Sequence, residues 1–216
     1  MNSMLKAFIF DMDGVIIDSE PLHFEVDLYT LNSIGVASSK EKLEQYVGMT
    51  NPEMWRLIKD EYQLPHSIEE LIQLQLTKKL AYLDESDIEP IPGIRELIQK
   101  LRDGNIPIGL ASSSPRIFIE KVLSKFNILH EFACITSGEE VPRGKPAPDV
   151  YLETARAMNV EPEHCCVLED AKHGVAAAKS AGMRCIGFVN PNSGNQDLSA
   201  ADFIVRSIAE VKIPEL

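Results

Sequence analysis

Short apolar runs, rich in β-branched and aromatic residues, recur along this chain and alternate with amphipathic helical patterns. The runs lie at Ala7–Phe10, 106–111, 133–136, 165–168, 185–189 and 203–205. Strands that are apolar throughout and separated by helices are typical of a parallel sheet covered by helices on both faces. The pattern therefore predicts an α/β fold with a doubly wound, mostly parallel sheet.

The alternation stops between residues 18 and 86, where strand-like runs are replaced by the helical patterns of 21–34, 53–62 and 67–83. Apolar residues at helical spacing form one stripe along 67–83. We therefore expect a core made of residues 1–17 and 87–216 and an α-helical domain, 18–86, inserted after the first strand. The length of 216 residues suits one domain with such an appendage.

The chain is acidic, with 33 Asp and Glu against 21 Lys and Arg and a formal net charge of −12. Because Lys and Arg supply affinity for a polyanion, this balance disfavours nucleic acid as a partner. No apolar run approaches the ~18 residues of a membrane span, and the first run is stopped by Asp11, which a secretory signal would not carry. We expect a cytoplasmic protein that binds neither membrane nor nucleic acid and whose partner is a small molecule.

Polar residues follow the predicted strands where ligands bind in open parallel sheets, beyond the carboxyl ends. They are Asp11-Met12-Asp13-Gly14, Ser112-Ser113-Ser114, Gly144-Lys145-Pro146 and Glu169-Asp170. An aspartate after a strand is by itself commonly a turn former or helix cap. The conjunction of acids, hydroxyls and a lysine at several strand ends predicts one shared site.

Carboxylates gathered in a cleft repel one another and require a compensating cation. Their hard oxygen ligands favour Mg²⁺, which typically takes one or two carboxylates and a phosphate oxygen. Lys145 adds a point charge, Ser112 a hydroxyl, and the helix that Ser114 is expected to cap adds backbone N–H groups for an anion. Asp11 can serve as a nucleophile and Asp13, two residues on, as a general acid and base.

Four segments together resemble the motifs of the haloacid dehalogenase-like (HAD) hydrolases. They are Phe10-Asp11-Met12-Asp13-Gly14-Val15, Ala111-Ser112-Ser113-Ser114, Gly144-Lys145-Pro146-Ala147-Pro148-Asp149 and Leu168-Glu169-Asp170. The resemblance covers essentially the whole chain, includes the helical cap after the first motif, and is closest to the β-phosphoglucomutase and sugar-phosphate phosphatase subgroup. It implies a Rossmann-like core and a phosphoric monoester hydrolase.

The same resemblance assigns roles to individual residues. Asp11 would be the phosphorylated nucleophile and Asp13 the general acid/base. Phosphate would be bound by Ser112, Ser113 and Lys145. Mg²⁺ would be held by Asp11, by Asp13 through its carbonyl, and by Asp170, with Glu169 as a near partner. A cis peptide is expected at Lys145-Pro146.

Asn51 bears on the choice between phosphatase and mutase. The segment Gly48-Met49-Thr50-Asn51 is similar to a cap loop in which the mutases carry an arginine for a second phosphate. A neutral amide cannot replace a bidentate guanidinium on phosphate. We therefore expect a phosphatase acting on a small phosphorylated sugar or polyol. The alternative is a β-phosphoglucomutase that interconverts β-glucose 1-phosphate and glucose 6-phosphate.

Further substrate contacts are candidates only. His23, Lys79, Ser114 and Arg116 can contribute, although Lys79 and Arg116 suit a solvated helix face equally well and His23 can be structural. A lid that closes over the substrate would make a monomer sufficient. A remote alternative is a non-enzymatic phospho-acceptor module. Such modules lack a second acid at the position of Asp13 and lack a helical insert, whereas this chain has both.

Overall fold

One parallel sheet organises the larger part of the protein. The computed structural model describes residues 5–43, 46 and 51–213. The strands are β1 (Ala7–Phe10), β2 (Ile108–Ser112), β3 (Cys134–Ser137), β4 (Cys165–Glu169), β5 (Arg184–Phe188) and β6 (Phe203–Val205). Their spatial order is β3-β2-β1-β4-β5-β6, and every pairing is parallel. This confirms the predicted α/β fold, with the first strand at the centre.

The helices follow the predicted alternation with small shifts at their ends. They are α1 (Glu20–Ser33), α2 (Lys40–Leu43), α3 (Asn51–Tyr62), α4 (Ile68–Glu85), α5 (Ile94–Asp103), α6 (Arg116–Lys125), α7 (Asp149–Ala157) and α8 (Lys172–Ser180). In the described ranges, none of the helices has the length and apolar character needed to cross a membrane.

Strand β1 is buried along its whole length because both faces of the sheet are covered. Ala7 and Ile9 pack in one cluster with Val150 of α7 and Val175 of α8. Successive strand residues point to opposite faces. Phe8 and Phe10 therefore lie on the other face, and the Phe10 ring meets that of Phe132 edge to face at 6.2 Å. A rigid central strand of this kind can hold the residue that follows it in a fixed place.

The chain divides into two compact units. One runs up to Ser19 and resumes at Glu89, and the other is Glu20–Ile88. The helical unit has a hydrophobic core of its own that contains Leu31, the fully buried Trp55 and Leu71.

Helix α4 of the helical unit begins with a reciprocal cap. The Ser67 hydroxyl accepts from the Glu70 N–H at 3.1 Å, while the Ser67 N–H donates to the Glu70 carboxylate at 2.7 Å. Such a capping box satisfies two backbone donors that a helix start leaves without partners.

Candidate active site

The register of the sheet brings the ends of three strands together. Strand β1 pairs Phe10 with Leu110 of β2 on one side and with Leu168 of β4 on the other. Asp11 follows Phe10 directly, is 6% exposed, and donates its N–H to the Leu168 carbonyl at 3.0 Å. The carboxyl ends of β1, β2 and β4 therefore hold Asp11 between the residues that follow the two neighbouring strands.

A tight turn after β1 brings Asp13 back toward the end of β2. The Met12 carbonyl accepts the N–H groups of Ile16 at 2.8 Å and Ile17 at 3.1 Å. Asp13 Oδ2 then accepts hydrogen bonds from the hydroxyls of Ser114 at 2.8 Å and Ser112 at 3.4 Å. Asp13, the predicted general acid, and Ser112, the predicted phosphate-binding serine, are thus joined by a hydrogen bond.

Ser114 does not cap helix α6, so that prediction is wrong. Pro115 takes the cap position without a side-chain hydrogen bond, and the helix begins at Arg116. The Ser114 hydroxyl is engaged by Asp13 instead. Ser113, between the two bonded serines, is exposed to solvent.

Lys145 bridges two of the predicted acids. Its Nζ lies 2.6 Å from Asp11 Oδ1, 2.8 Å from Glu169 Oε1 and 3.2 Å from the Ala111 carbonyl oxygen. Burial opposes the charge of the ammonium, but the Asp11 and Glu169 carboxylates outweigh that effect and raise the pKa of Lys145. The Lys145-Pro146 peptide is cis, which confirms the expectation. A buried cation is therefore fixed beside Asp11.

Three carboxylates form a cluster with the donor set of a divalent cation. Oxygen atoms of Asp11, Glu169 and Asp170 all lie within 4.8 Å of one another, and all three residues are buried. Burial raises the pKa of Asp11 well above its usual value; Lys145 opposes the shift, and Glu169 and Asp170 add to it. Burial, and then the charge of Glu169, raise the pKa of Asp170 to about 7. One lysine thus leaves negative charge uncompensated, and a hard divalent cation fits the oxygen ligands.

The Asp13 carboxylate stands apart from this cluster. It is turned toward the two serines. The family resemblance implies the backbone carbonyl of Asp13, and not this carboxylate, as a metal ligand. Asp11, Asp170 and that carbonyl are the groups that would hold a divalent ion.

Glu169 is held tightly, by partners that sequence reasoning missed. The Tyr151 hydroxyl donates to its Oε1 at 3.0 Å, and the Ala171 N–H donates to its Oε2 at 2.8 Å. The Tyr151 ring also lies under the Lys145 ammonium, 4.8 Å from Nζ to the centroid. A Cβ atom on Gly174 would lie 1.5 Å from Glu169 Oε1, so only glycine leaves room for the carboxylate. Both Glu169 oxygens are thus engaged, and Oε1 positions the lysine.

Asp170 is positioned by a loop that follows β5. The Ser193 hydroxyl donates a short hydrogen bond to Asp170 Oδ2. Asn190 donates its amide N–H to the Gly14 carbonyl at 2.9 Å, and a Cβ on Gly14 would lie 1.9 Å from Asp170 Oδ2. Asn190 and Ser193 were not predicted, although the rule that polar residues follow strand ends, applied to β5, would have found them.

Arg116 does not join these residues. Its guanidinium makes a two-pronged pair with Glu140, at 2.8 and 2.6 Å, and also donates to the Ile135 carbonyl at 2.7 Å. Its backbone N–H donates to Glu139 at 3.3 Å, so a carboxylate already meets the start of α6 where an anion site was expected. The guanidinium thus links strand β3 to Glu140. Neither of the two predicted alternatives, a contact in the cleft or a freely solvated side chain, describes Arg116.

The candidates in the helical unit lie at a polar network in which Asp27, Gln75 and Lys79 are buried. Lys79 is only 8% exposed, which excludes the solvated face considered above. Burial raises the pKa of Asp27, while a hydrogen bond from Gln75 and the charges of Lys79 and His23 oppose the shift. Asn51 donates to Gln75, which donates to Asp27. Asp27 and Gln75 were not predicted, and residues 48–50 of the predicted loop lie outside the described residues.

The chain is similar to known proteins over most of its length. A family model described as haloacid dehalogenase-like hydrolase matches residues 8–188. The chain is 33% identical over 218 residues to hexitol phosphatase B of Escherichia coli (strain K12), and the alignment covers 98% of this chain and 96% of that protein. It is 31% identical to β-phosphoglucomutase of Bacillus subtilis (strain 168), with 97% and 92% covered.

A solved structure extends the likeness to the fold. A variant of CbbY from Rhodobacter sphaeroides, crystallised with xylulose-(1,5)-bisphosphate, has a TM-score of 0.86 and 26% identity, with 96% of each chain covered. The chain therefore belongs to the haloacid dehalogenase-like hydrolase family. Within the family it falls in the β-phosphoglucomutase and sugar-phosphate phosphatase subgroup, and it is a phosphoric monoester hydrolase.

Proposed function

We propose that this protein is a Mg²⁺-dependent phosphatase that hydrolyses a small phosphorylated sugar or polyol through an aspartyl phosphate on Asp11. The observation that carries the proposal is the placement of Asp11 against Lys145, with Asp13 held by two hydroxyls close by. A nucleophile, a fixed cation and a separate acid are the groups that transfer of a phosphoryl group through a covalent intermediate needs. Hexitol phosphates are the first substrates to test, given the relative named above.

In the first step a carboxylate oxygen of Asp11 attacks phosphorus. The oxygen–phosphorus bond to Asp11 forms while the bond to the sugar oxygen breaks, and Asp13 gives its proton to that leaving oxygen. Ser112, Ser113 and Lys145 hold the phosphoryl oxygens. The Lys145 ammonium is hydrogen-bonded to Glu169 and lies over the Tyr151 ring. Its charge is therefore already in place and needs no reorganisation during the reaction.

In the second step water attacks the phosphorus of the aspartyl phosphate. Asp13, now ionised, takes a proton from that water, and the bond from phosphorus to Asp11 breaks to release inorganic phosphate. A bound Mg²⁺ would neutralise charge on the phosphoryl oxygens. The residues suited to hold it are Asp11, Asp170 and the Asp13 carbonyl.

We propose that the helical unit serves as the lid of this site and excludes competing water. A lid within the same chain makes a monomer sufficient. The monomeric state and the cytoplasmic location remain predictions from the sequence.

A mutase is the second candidate, favoured by the likeness to β-phosphoglucomutase. It would need a second phosphate-binding cation in the helical unit, and Asn51 does not supply one. The test is a panel of pentose, hexose and hexitol phosphates with Mg²⁺, scored for phosphate release and for interconversion of the two glucose phosphates. Phosphate release supports the proposal. Interconversion without release from any panel member would overturn it.

A phospho-acceptor switch is distinguished by the lifetime of the adduct on Asp11. An enzyme should turn the adduct over rapidly and lose that turnover in Asp13→Ala. A long-lived adduct that is indifferent to Asp13→Ala would favour the switch.

A further inference from the structure

The segment that follows strand β3 lies against the serine loop, residues 112–114, at the end of β2. The register of the sheet places Ser137, the last residue of β3, beside Ser112, the last residue of β2. A Cβ on the next residue, Gly138, would lie 3.1 Å from the Ser113 Cα, which is closer than an ordinary contact. The two segments therefore approach each other closely, next to the serines that are bonded to Asp13.

Ser114 is held at both polar groups of its backbone. Its carbonyl oxygen accepts from the Ser137 hydroxyl at 2.7 Å, and its N–H donates to the Ser112 hydroxyl at 3.0 Å. With its backbone fixed in this way, Ser114 directs its own hydroxyl to Asp13 Oδ2 at 2.8 Å. Because Ser137 is fully buried, its hydroxyl is shielded from water that would compete for the Ser114 carbonyl.

The partners of Ser137 fix the direction of its hydroxyl. This hydroxyl accepts from the Glu139 N–H at 3.2 Å, and its single proton goes to the Ser114 carbonyl, which can only accept. The Ser137 N–H donates to Glu140 Oε2 at 3.1 Å. The Glu140 carboxylate is itself held by the two-pronged pair with Arg116. One network of hydrogen bonds thus extends from an ion pair at the surface to the serine loop.

We propose that Ser137 is a positioning residue for the general acid: by holding Ser114, it keeps the Ser114 hydroxyl on Asp13 Oδ2 and so places the transferable proton of Asp13 on Oδ1. A proton on Oδ2 would have to share that oxygen with the protons of two serine hydroxyls. The inference rests on the proposed phosphatase function and deepens it. As the bond from phosphorus to the sugar oxygen breaks, this proton passes from Asp13 to the leaving oxygen. Ser137 acts through Ser114 and not on the substrate.

The test compares two leaving groups that differ in their need for a proton. The alkoxide of a hexitol is a poor leaving group and requires the proton of Asp13, whereas 4-nitrophenolate is stable as an anion and leaves without one. The ratio of kcat/KM for a hexitol phosphate to kcat/KM for 4-nitrophenyl phosphate therefore measures proton delivery. Because both values come from the same protein, the ratio cancels differences in folded fraction. Asp13→Asn sets the scale and should lower the ratio by about 100-fold or more.

Ser137→Ala should lower this ratio by about tenfold, the worth of one hydrogen bond. Ser114→Ala should lower it by a similar factor, and the double variant should lose no more than Ser114→Ala alone, because both residues act along one path. The matched control is Thr154→Val, which removes another fully buried hydroxyl, bonded to Thr136 and to the Val150 carbonyl. Its ratio should equal that of the wild type, whatever its cost in stability.

Glu140→Ala changes the same network from its exposed end, without emptying a buried position, and should lower the ratio in the same direction. A wild-type ratio in Ser137→Ala, or in Glu140→Ala should Ser137→Ala not fold, overturns the inference while the phosphatase function stands. Losses that add in the double variant, or a wild-type ratio in Ser114→Ala, overturn it as well. If Asp13→Asn keeps the wild-type ratio, Asp13 is not the general acid, and the proposed mechanism fails together with the inference.

Discussion

The substitution Gly174→Ala sets helix propensity against the geometry of the site. Gly174 lies within α8, where alanine is favoured over glycine by up to ~1 kcal/mol. On propensity alone the variant should therefore be more stable than the wild type. The structure predicts the opposite, because a Cβ at this position would lie 1.5 Å from Glu169 Oε1 and 1.9 Å from Glu169 Cδ.

The size of the effect follows from what holds Glu169. The residue is 1% exposed, and its Oε1 accepts from Lys145 at 2.8 Å and from Tyr151 at 3.0 Å. To escape the methyl group the carboxylate must give up both bonds, each worth ~1.5–3 kcal/mol because a charged group is involved. After the gain in propensity is subtracted, the net loss in the free energy of unfolding is ~2–5 kcal/mol.

Thermal denaturation without added metal would measure this loss. At about 2–4 °C per kcal/mol for a chain of this size, the melting temperature should fall by about 10 °C. The matched control is Gly104→Ala at the end of α5, where the nearest neighbour of a new Cβ is the Lys100 carbonyl oxygen at an ordinary 3.4 Å. Phosphatase activity should fall in Gly174→Ala and not in the control. A Gly174→Ala protein that melts at or above wild type would refute the account of Glu169.

Three further predictions concern single groups. Tyr151→Phe removes only the hydroxyl bonded to Glu169, so chemical denaturation should show a loss of about 1.5–3 kcal/mol, and unchanged stability would contradict the contact. Asp13→Asn keeps a hydrogen-bond acceptor for the serines but has no proton to exchange, so phosphate release should slow by about 100-fold or more; a wild-type rate would remove Asp13 from the chemistry. Because the pKa of Asp170 is raised to about 7, a proton competes with the metal below that pH, and Mg²⁺ affinity from titration of activity should fall by up to about tenfold per pH unit as the pH drops below 7. Affinity that is constant between about pH 5 and 8 would contradict this competition.

The strands were predictable because they are apolar throughout. Both boundaries of the strands Ala7–Phe10 and Phe203–Val205 were predicted correctly, and the predicted boundaries of the other strands lie within two residues of the observed ones. The order of the strands was not predicted, because it depends on where each connecting helix crosses, and nothing local in the sequence records that. The prediction that Ser114 caps α6 failed for a related reason. Its hydroxyl donates to Asp13, which lies about a hundred residues earlier in the chain.

In the candidate site, the sequence indicated the groups that are expected to face the ligand but did not indicate the groups that position them. Asp11, Lys145 and Asp170 follow strands or carry motif signals, so the sequence points to them directly. Gly174 acts through Glu169, and Tyr151 acts through Glu169 and Lys145, so neither residue was recognisable as part of a site from its place in a predicted helix. Their importance depends on distances that appear only once the chain is folded.

The network of the helical unit was also beyond sequence reasoning. Asp27 and Gln75 lie on two helices and are 48 residues apart. On sequence alone each is an ordinary polar helix residue. Only the folded chain shows that both are buried, that they are hydrogen-bonded to each other, and that Gln75 also accepts from Asn51.

The central claim is that Asp11 carries the phosphoryl group during turnover. The direct measurement is mass spectrometry of enzyme quenched in acid during steady-state hydrolysis of a hexitol phosphate with Mg²⁺. The account predicts a phosphoryl group on the peptide that contains Asp11, and loss of both the adduct and phosphate release in Asp11→Asn. Sustained phosphate release by Asp11→Asn, or a phosphoryl group found on a different residue, would contradict it.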